Sequence, residues 1–151
     1  MTLSEELGFR GYVLPRLMHL GTTRALLLSG LLHGIWHLPL LLLTPYYHND
    51  GNRLIVVSLF LLTLTVSGVF FGYLRLTSGS IWPSTLAHGA FNDFWSSFSQ
   101  FTVASSPLAL EHLAGESGAL TLVGTALVAA WLVSRLRQRR GTMALQLSSG
   151  V

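Results

Sequence analysis

The sequence predicts an all-α fold, a polytopic membrane helix bundle with about four transmembrane helices and an N-terminal helix that carries a polar motif. Half of the 151 residues are hydrophobic and only 10% are charged, whereas soluble domains have about 25% charged residues. The chain is long enough for four or five spans of about 20 residues each. Three pairs of polar side chains, each four residues apart, interrupt this apolar sequence and would each share one helix face.

The first two predicted helices lie before a polar loop. Residues 3–20 form a semi-apolar helix, because Arg10, Pro15 and Arg16 interrupt it. Residues 24–43 form a strongly apolar span, and its few interruptions are Ser29, His33, His37 and the kink-forming Pro39. The stretch from Pro45 to Arg53 is predicted to be a loop.

Two further spans and a tail complete the prediction. Residues 54–74 form an apolar span closed by Arg75, and a turn follows at Thr77 to Ser80. Residues 81–104 form the next span, which begins at Ile81-Trp82-Pro83 because proline suits a first helical turn. An acidic loop over 105–118 leads to the last span, 119–134. We predict one domain over 1–140 and an irregular polar tail over 141–151.

The charge pattern predicts an orientation and a compartment. The net charge of +3 comes from nine arginines and no lysine, and four of them follow the last span: Arg135, Arg137, Arg139 and Arg140. Such a cluster is typical of a cytoplasmic flank near anionic lipid and argues against nucleic acid as a partner. The composition suggests a GC-rich bacterial genome. The sequence therefore predicts a multi-pass protein of the bacterial inner membrane with a cytoplasmic C-terminus.

Two features of the sequence exclude other classes of protein. There is no cysteine, which rules out disulfides, thiol catalysis and cysteine-ligated metal centres. The first residues have no basic segment before an apolar core, so they do not form a signal peptide.

The first motif is Glu5-Glu6-x-x-x-Arg10. Glu6 and Arg10 stand in the favourable acid-first order for an ion pair on a helix, which would leave Glu5 free to bind and deprotonate water. Because adjacent helical residues point about 100° apart, we expect only one of the two glutamates to face a shared cavity. We also expect a low-dielectric cavity to raise the pKa of Glu5. The alternative is ordinary capping and dipole chemistry at a helix start.

The other two motifs, His33-x-x-x-His37 and His88-x-x-x-Asn92, are predicted at mid-depth of their spans. Ionisable side chains at that depth are costly and by default indicate a functional site. Histidine can act as an acid or a base, and the Asn92 amide is a donor of the kind that stabilises an oxyanion. The alternative is that these side chains only form hydrogen bonds between helices.

Taken in order, the three motifs resemble those of the CPBP family of intramembrane endopeptidases, which includes the type II CAAX prenyl endopeptidase and bacterial bacteriocin-processing proteases. The quoted segments are SEELGFRGYVLPRL, HGIWHLPL and TSGSIWPSTLAHGAFND. The resemblance implies a membrane-embedded glutamate endopeptidase in which Glu5 and His37 activate water. It further implies that Glu6 and Arg10 hold the site and that His88 and Asn92 bind the oxyanion. His33, at a position where the family often has Phe, is a further candidate.

The resemblance implies a peptide or protein substrate at the membrane and no cofactor. If a metal such as zinc were used instead, Glu5, His37 and His88 would be its ligands. Family members usually have several membrane helices before the first motif, so we expect this chain to lack them. The alternatives are a non-catalytic immunity or partner-binding protein on the same fold and a histidine-based metal or haem protein. The substrate and the oligomeric state stay open.

Overall fold

The chain folds into five helices and a short π-helical turn in a computed structural model that describes residues 2–44, 52–101, 106, 108, 110–116 and 118–149. The helices are α1 (residues 2–20), α2 (Thr22–Leu43), α3 (Arg53–Ser78), α4 (Trp82–Phe101) and α5 (Ala119–Ser149), and the turn is Leu110–Ala114. The predicted all-α membrane bundle is confirmed. Most of the predicted loop from Pro45 to Arg53, and parts of the 105–118 loop, lie outside the described residues.

Helix α1 changes its winding within the first motif. Thr2–Glu6 is α-helical, Leu7–Val13 is π-helical, Leu14–Leu17 returns to the α form and Met18–Leu20 closes the helix as a 3₁₀ turn. A π-helical stretch is rare and is often found at functional sites. In α1 the change of winding begins directly after Glu6.

Helices α2 and α3 pack closely because glycines face each other at their crossing. A Cβ atom on Gly30 would lie 2.5 Å from the carbonyl oxygen of Thr65, and one on Gly68 would lie 2.5 Å from the Cα atom of Gly30. Small residues of this kind allow the backbones of membrane helices to approach. The crossing therefore fixes the position of His33, which lies three residues after Gly30 on α2.

An apolar core joins α1, α2, α3 and α5. Its buried members are Leu14, Ala25, Leu26, Val69, Ala129 and Leu132. Leu14 lies one turn after Arg10 on α1, so the apolar core begins where the first motif ends.

Within the part of the chain that the structure describes, three helical segments are long and apolar enough to cross a membrane: Thr22–Leu43, Arg53–Ser78 and His112–Gln138. Helix α4, which we predicted as a span over 81–104, is not among the candidate spans of the described residues. The reason is its share of polar side chains, among them His88, Asn92 and Asp93.

Helix α5 is longer than the predicted span over 119–134. Its backbone stays helical as far as Ser149, so the irregular tail that we predicted after Gly141 is wrong for residues 141–149. The predicted boundary of the domain near residue 140 and the cytoplasmic orientation of the C-terminus stay predictions.

Candidate active site

The first motif forms a buried ion pair. Arg10 Nη1 donates to Glu6 Oε1 over 2.9 Å, and both residues are 0% exposed. The predicted pairing of Glu6 with Arg10 is confirmed. Glu5 stands apart from this pair, and its side chain keeps 13% of its surface exposed.

His88 lies between the two glutamates. Its Nδ1 atom is 2.9 Å from Glu6 Oε1, and its Nε2 atom is 3.7 Å from Glu5 Oε2. Both glutamates therefore contact the same imidazole, although Glu6 is fully buried and the Glu5 side chain keeps part of its surface exposed. The expectation that one glutamate faces a shared cavity stays a prediction. Adjacent carboxylates about 100° apart on α1 can both contact one imidazole, because its two ring nitrogens point in different directions.

His33 joins Glu5 to Arg10. Its Nε2 atom is 3.2 Å from Glu5 Oε2, and its Nδ1 atom is 3.1 Å from Arg10 Nη1. Glu5 belongs to α1, which is not one of the candidate spans. The hydrogen bond from His33 lowers the pKa of Glu5 below its usual value and outweighs the effect of burial. The raised pKa that we expected for Glu5 is therefore wrong.

His37 completes the histidine cluster from the next turn of α2. Its Nδ1 atom is 3.0 Å from the backbone carbonyl oxygen of His33. Because a carbonyl oxygen only accepts, Nδ1 of His37 carries a proton and donates it. In the neutral ring, Nε2 then bears the lone pair and can accept a proton.

Three phenylalanines surround the histidine rings. Ring centroids are 4.4 Å apart for Phe9 and His33, 5.6 Å for Phe60 and His37, and 5.0 Å for Phe71 and His88. These apolar walls strengthen every electrostatic interaction inside the site. Sequence reasoning did not identify them. Phe9 lies inside the first motif, which was a usable signal, but no spacing rule singles out Phe60 or Phe71.

Ser29 connects α2 to α1 at the site. Its Oγ atom donates to the carbonyl oxygen of Phe9 over 3.0 Å. We had interpreted Ser29 only as an interruption of an apolar span. Its position four residues before His33 places it on the same helix face, and that spacing could have indicated its role.

Asn92 does not join the cluster. It lies one turn after His88 on α4 and is exposed, and within the described part of the chain no hydrogen bond links it to the clustered side chains. The structure thus brings together six of the predicted residues, namely Glu5, Glu6, Arg10, His33, His37 and His88. The role of Asn92 stays a prediction.

A set of potential metal ligands exists within the cluster. Ligand atoms of Glu5, His33 and His37 lie within 4.8 Å of one another. Of the ligands that we predict for a metal site, Glu5 and His37 belong to this set, and His33 takes the third place in it rather than His88. A carboxylate and two imidazoles match a catalytic zinc site in number and type.

Comparison with known proteins gives one informative match. The family model described as type II CAAX prenyl endopeptidase Rce1-like matches residues 1–95. This range contains all six clustered residues as well as Asn92. No curated protein and no solved structure matches the chain.

Proposed function

The chain belongs to the Rce1-like family of type II CAAX prenyl endopeptidases, and on that premise we propose that it hydrolyses a peptide bond at the membrane with water activated by Glu5 and His37. The family is a family of proteases, and three helices among the described residues are long and apolar enough to span a bilayer. Lipid and a peptide or protein substrate are therefore its expected partners.

The observation that carries the proposal is the difference between the two glutamates. Glu6 is fully buried and paired with Arg10, so its charge is already compensated. Glu5 keeps part of its surface accessible, and its ion-pair partners among the described residues are the histidines His33 and His88. A carboxylate that water can reach, next to imidazoles, is suited to act as a general base.

In the proposed reaction, a water molecule lies between the Glu5 carboxylate and Nε2 of His37. One proton of the water moves to Glu5 while the oxygen attacks the scissile carbonyl carbon, which forms a tetrahedral oxyanion. When the C–N bond breaks, the proton held by Glu5 passes to the leaving amine. The products at this point are a carboxylic acid and an amine, and transfer of the acid proton to the amine gives the carboxylate and the ammonium group of the hydrolysed peptide.

His88 and Asn92 are proposed to stabilise the oxyanion. His88 donates its Nδ1 proton to Glu6, since a carboxylate only accepts, so only Nε2 is left to face the substrate. Donation from Nε2 then requires a second proton on the ring. Asn92 lies one turn away on the same helix and is exposed, which leaves its amide available to a bound carbonyl oxygen.

The proposed route uses no metal ion, because a carboxylate and an imidazole polarise the water. Glu5, His33 and His37 would be the ligands if a divalent ion were required, and it would then lower the pKa of a bound water. Activity that persists in EDTA supports the metal-free route. Activity that is lost in EDTA and restored by zinc contradicts it.

The test is cleavage of a defined peptide in proteoliposomes. The probe is a farnesylated peptide ending in a CAAX sequence, with the same peptide lacking the farnesyl group alongside it, and mass spectrometry locates the cut. Glu5→Gln should reduce kcat by at least about a thousandfold, which is typical when a catalytic base is lost. The matched control is His19→Gln, at an exposed histidine whose Nδ1 lies against its own helix backbone.

Two outcomes contradict the proposal. One is cleavage by Glu5→Gln at the rate of the unaltered protein, because that removes the proposed base without consequence. The other is a folded, reconstituted protein that cuts neither peptide, which favours the non-catalytic binding alternative.

A further inference from the structure

We propose that His33 is a positioning residue. Arg10 fixes the His33 ring in its Nε2–H tautomer, and the Nε2–H group orients the Glu5 carboxylate toward the attacking water. This inference rests on the proposed function of Glu5. It adds a direction to the hydrogen bonds of the cluster, which run from Arg10 through His33 to Glu5.

The direction begins at Arg10, because a guanidinium only donates hydrogen bonds. Its Nη1 atom contacts both Glu6 Oε1, at 2.9 Å, and His33 Nδ1, at 3.1 Å. Nδ1 of His33 must therefore accept and cannot carry a proton. A neutral imidazole with an unprotonated Nδ1 carries its proton on Nε2.

The proton on Nε2 then faces a hydrogen-bond acceptor, the Glu5 carboxylate. Nε2 of His33 is 3.2 Å from Glu5 Oε2, and a carboxylate only accepts. The opposite tautomer would place an N–H group against the Arg10 guanidinium and a lone pair against the Glu5 carboxylate. A doubly protonated ring would still set a proton against Arg10. The Nε2–H tautomer is the form in which both contacts are attractive.

The surroundings restrain the His33 ring in this orientation. His33 is 3% exposed, and the ring of Phe9 lies against it with centroids 4.4 Å apart. The Ser29 hydroxyl holds the backbone of Phe9 by a 3.0 Å hydrogen bond. The ring therefore has a fixed neighbour on one face and a hydrogen bond at each nitrogen.

The tautomer also has a consequence for metal binding. A metal ion at Nε2 of His33 needs the lone pair of that nitrogen, which would move the ring proton to Nδ1 and against Arg10. While Arg10 is in place, Nε2 of His33 therefore has no lone pair for a metal ion, and Glu5 and His37 are left as the two ligands of the set. Water activation by Glu5 and His37 without a metal is consistent with this arrangement.

The first test measures the tautomer without any reference to activity. The full chain, labelled with ¹⁵N in its histidine rings and held in detergent micelles, is examined by long-range ¹H–¹⁵N NMR at neutral pH. The His33 signals are identified by their loss in His33→Gln. We expect a protonated Nε2 and an unprotonated Nδ1. A protonated Nδ1, alone or with a protonated Nε2, overturns the inference.

The second test compares two amide substitutions at the same position. Glutamine places an N–H group near the position of Nε2 and so can still donate to Glu5, whereas asparagine reaches only the position of Nδ1 and can still accept from Arg10. We expect His33→Gln to keep kcat within about threefold. We expect His33→Asn to lower kcat about tenfold to a hundredfold, the range for a lost hydrogen bond to a charged group, with little change in KM.

Equal losses of kcat in both variants, or none in either, overturn the positioning role. If one variant does not fold, as judged by circular dichroism, the NMR measurement on the unaltered chain decides, and the His33 signals are identified by their loss in the variant that folds. The two proposals fail separately. Full activity of Glu5→Gln refutes the catalytic role of Glu5, while full activity of His33→Asn beside an inactive Glu5→Gln refutes only the role of His33.

Discussion

Replacing Arg10 by methionine tests whether the buried ion pair of α1 supports the whole site. Arg10 is 0% exposed and donates to Glu6 and His33, and its guanidinium lies 5.3 Å from the ring centroid of Phe71. Methionine has a similar length and fills the apolar part of this space. It removes the charge and all the donors.

The expected loss follows from what the substitution leaves behind. The carboxylate of Glu6 stays fully buried and keeps only His88 as a donor among the described residues. Removing one partner of a buried ion pair costs about 3–5 kcal/mol, and the lost hydrogen bond to His33 adds about 1 kcal/mol. We therefore expect Arg10→Met to lower the free energy of unfolding by about 4–6 kcal/mol.

The double variant Glu6→Gln/Arg10→Met separates the charge effect from a packing effect. It removes both charges, and the amide oxygen of the introduced glutamine can still accept from His88, so we expect recovery to within about 2 kcal/mol of the unaltered chain. Free energies are measured by denaturant unfolding in mixed micelles followed by circular dichroism. The matched control is Arg16→Met, at an exposed arginine stacked on Tyr12, which should change stability by less than about 0.5 kcal/mol.

The reasoning is refuted by either of two results. One is a loss in Arg10→Met no larger than that in Arg16→Met. The other is a loss of stability in the double variant equal to the sum of the losses in Arg10→Met and in the single variant Glu6→Gln, because additive losses mean that Glu6 and Arg10 do not interact.

Three further predictions follow from the close helix crossing and from the site. Gly68→Ala should destabilise the bundle by about 1–3 kcal/mol in thermal unfolding, because its Cβ would lie 2.5 Å from a facing backbone atom. Gly124→Ala should not destabilise the bundle, since nothing lies within 4 Å of the added Cβ. Equal effects of the two substitutions would refute the close crossing. Asn92→Ala should lower kcat about a hundredfold to a thousandfold. It should leave the unfolding midpoint unchanged, since the residue is exposed. An unchanged kcat would contradict a role of Asn92 in binding the oxyanion. The Glu5 carboxyl, followed by ¹³C NMR, should titrate below the usual range of a glutamate. His33→Phe should raise the titration midpoint of Glu5, because the substitution removes the hydrogen bond that is the largest cause of the lowered pKa. A midpoint unaffected by the substitution would contradict that cause.

Simple rules were enough to predict the helices and most of the residues that form the site. Long apolar runs specify membrane helices, and the fourfold spacing places each polar pair on one helix face. The pair of Glu6 and Arg10 is a local contact within α1, so the sequence sufficed to predict it. The span over 81–104 stays a prediction, because hydropathy is marginal in α4 and this helix is not among the candidate spans of the described residues. The tail after Gly141 was misjudged because helix ends depend on packing as well as on composition.

The contacts between helices could not be predicted in this way. Periodicity says which residues share a face, but not how far each helix is rotated toward its neighbours. That rotation brings His88 between two carboxylates and His33 between Glu5 and Arg10. It also leaves Asn92 outside the cluster.

The sequence by itself determined that this protein is an α-helical membrane bundle with three polar motifs, because hydrophobicity and spacing along one chain are local properties. Only the tertiary structure decided which motif residues meet. The approach of α2 to α3 at Gly30 and Gly68 and the π-helical winding of α1 set the distances between side chains that are far apart in the sequence. The lowered pKa of Glu5 follows from one such contact, with His33. The burial of Glu5, which we expected to raise this pKa, has a smaller effect than the hydrogen bond.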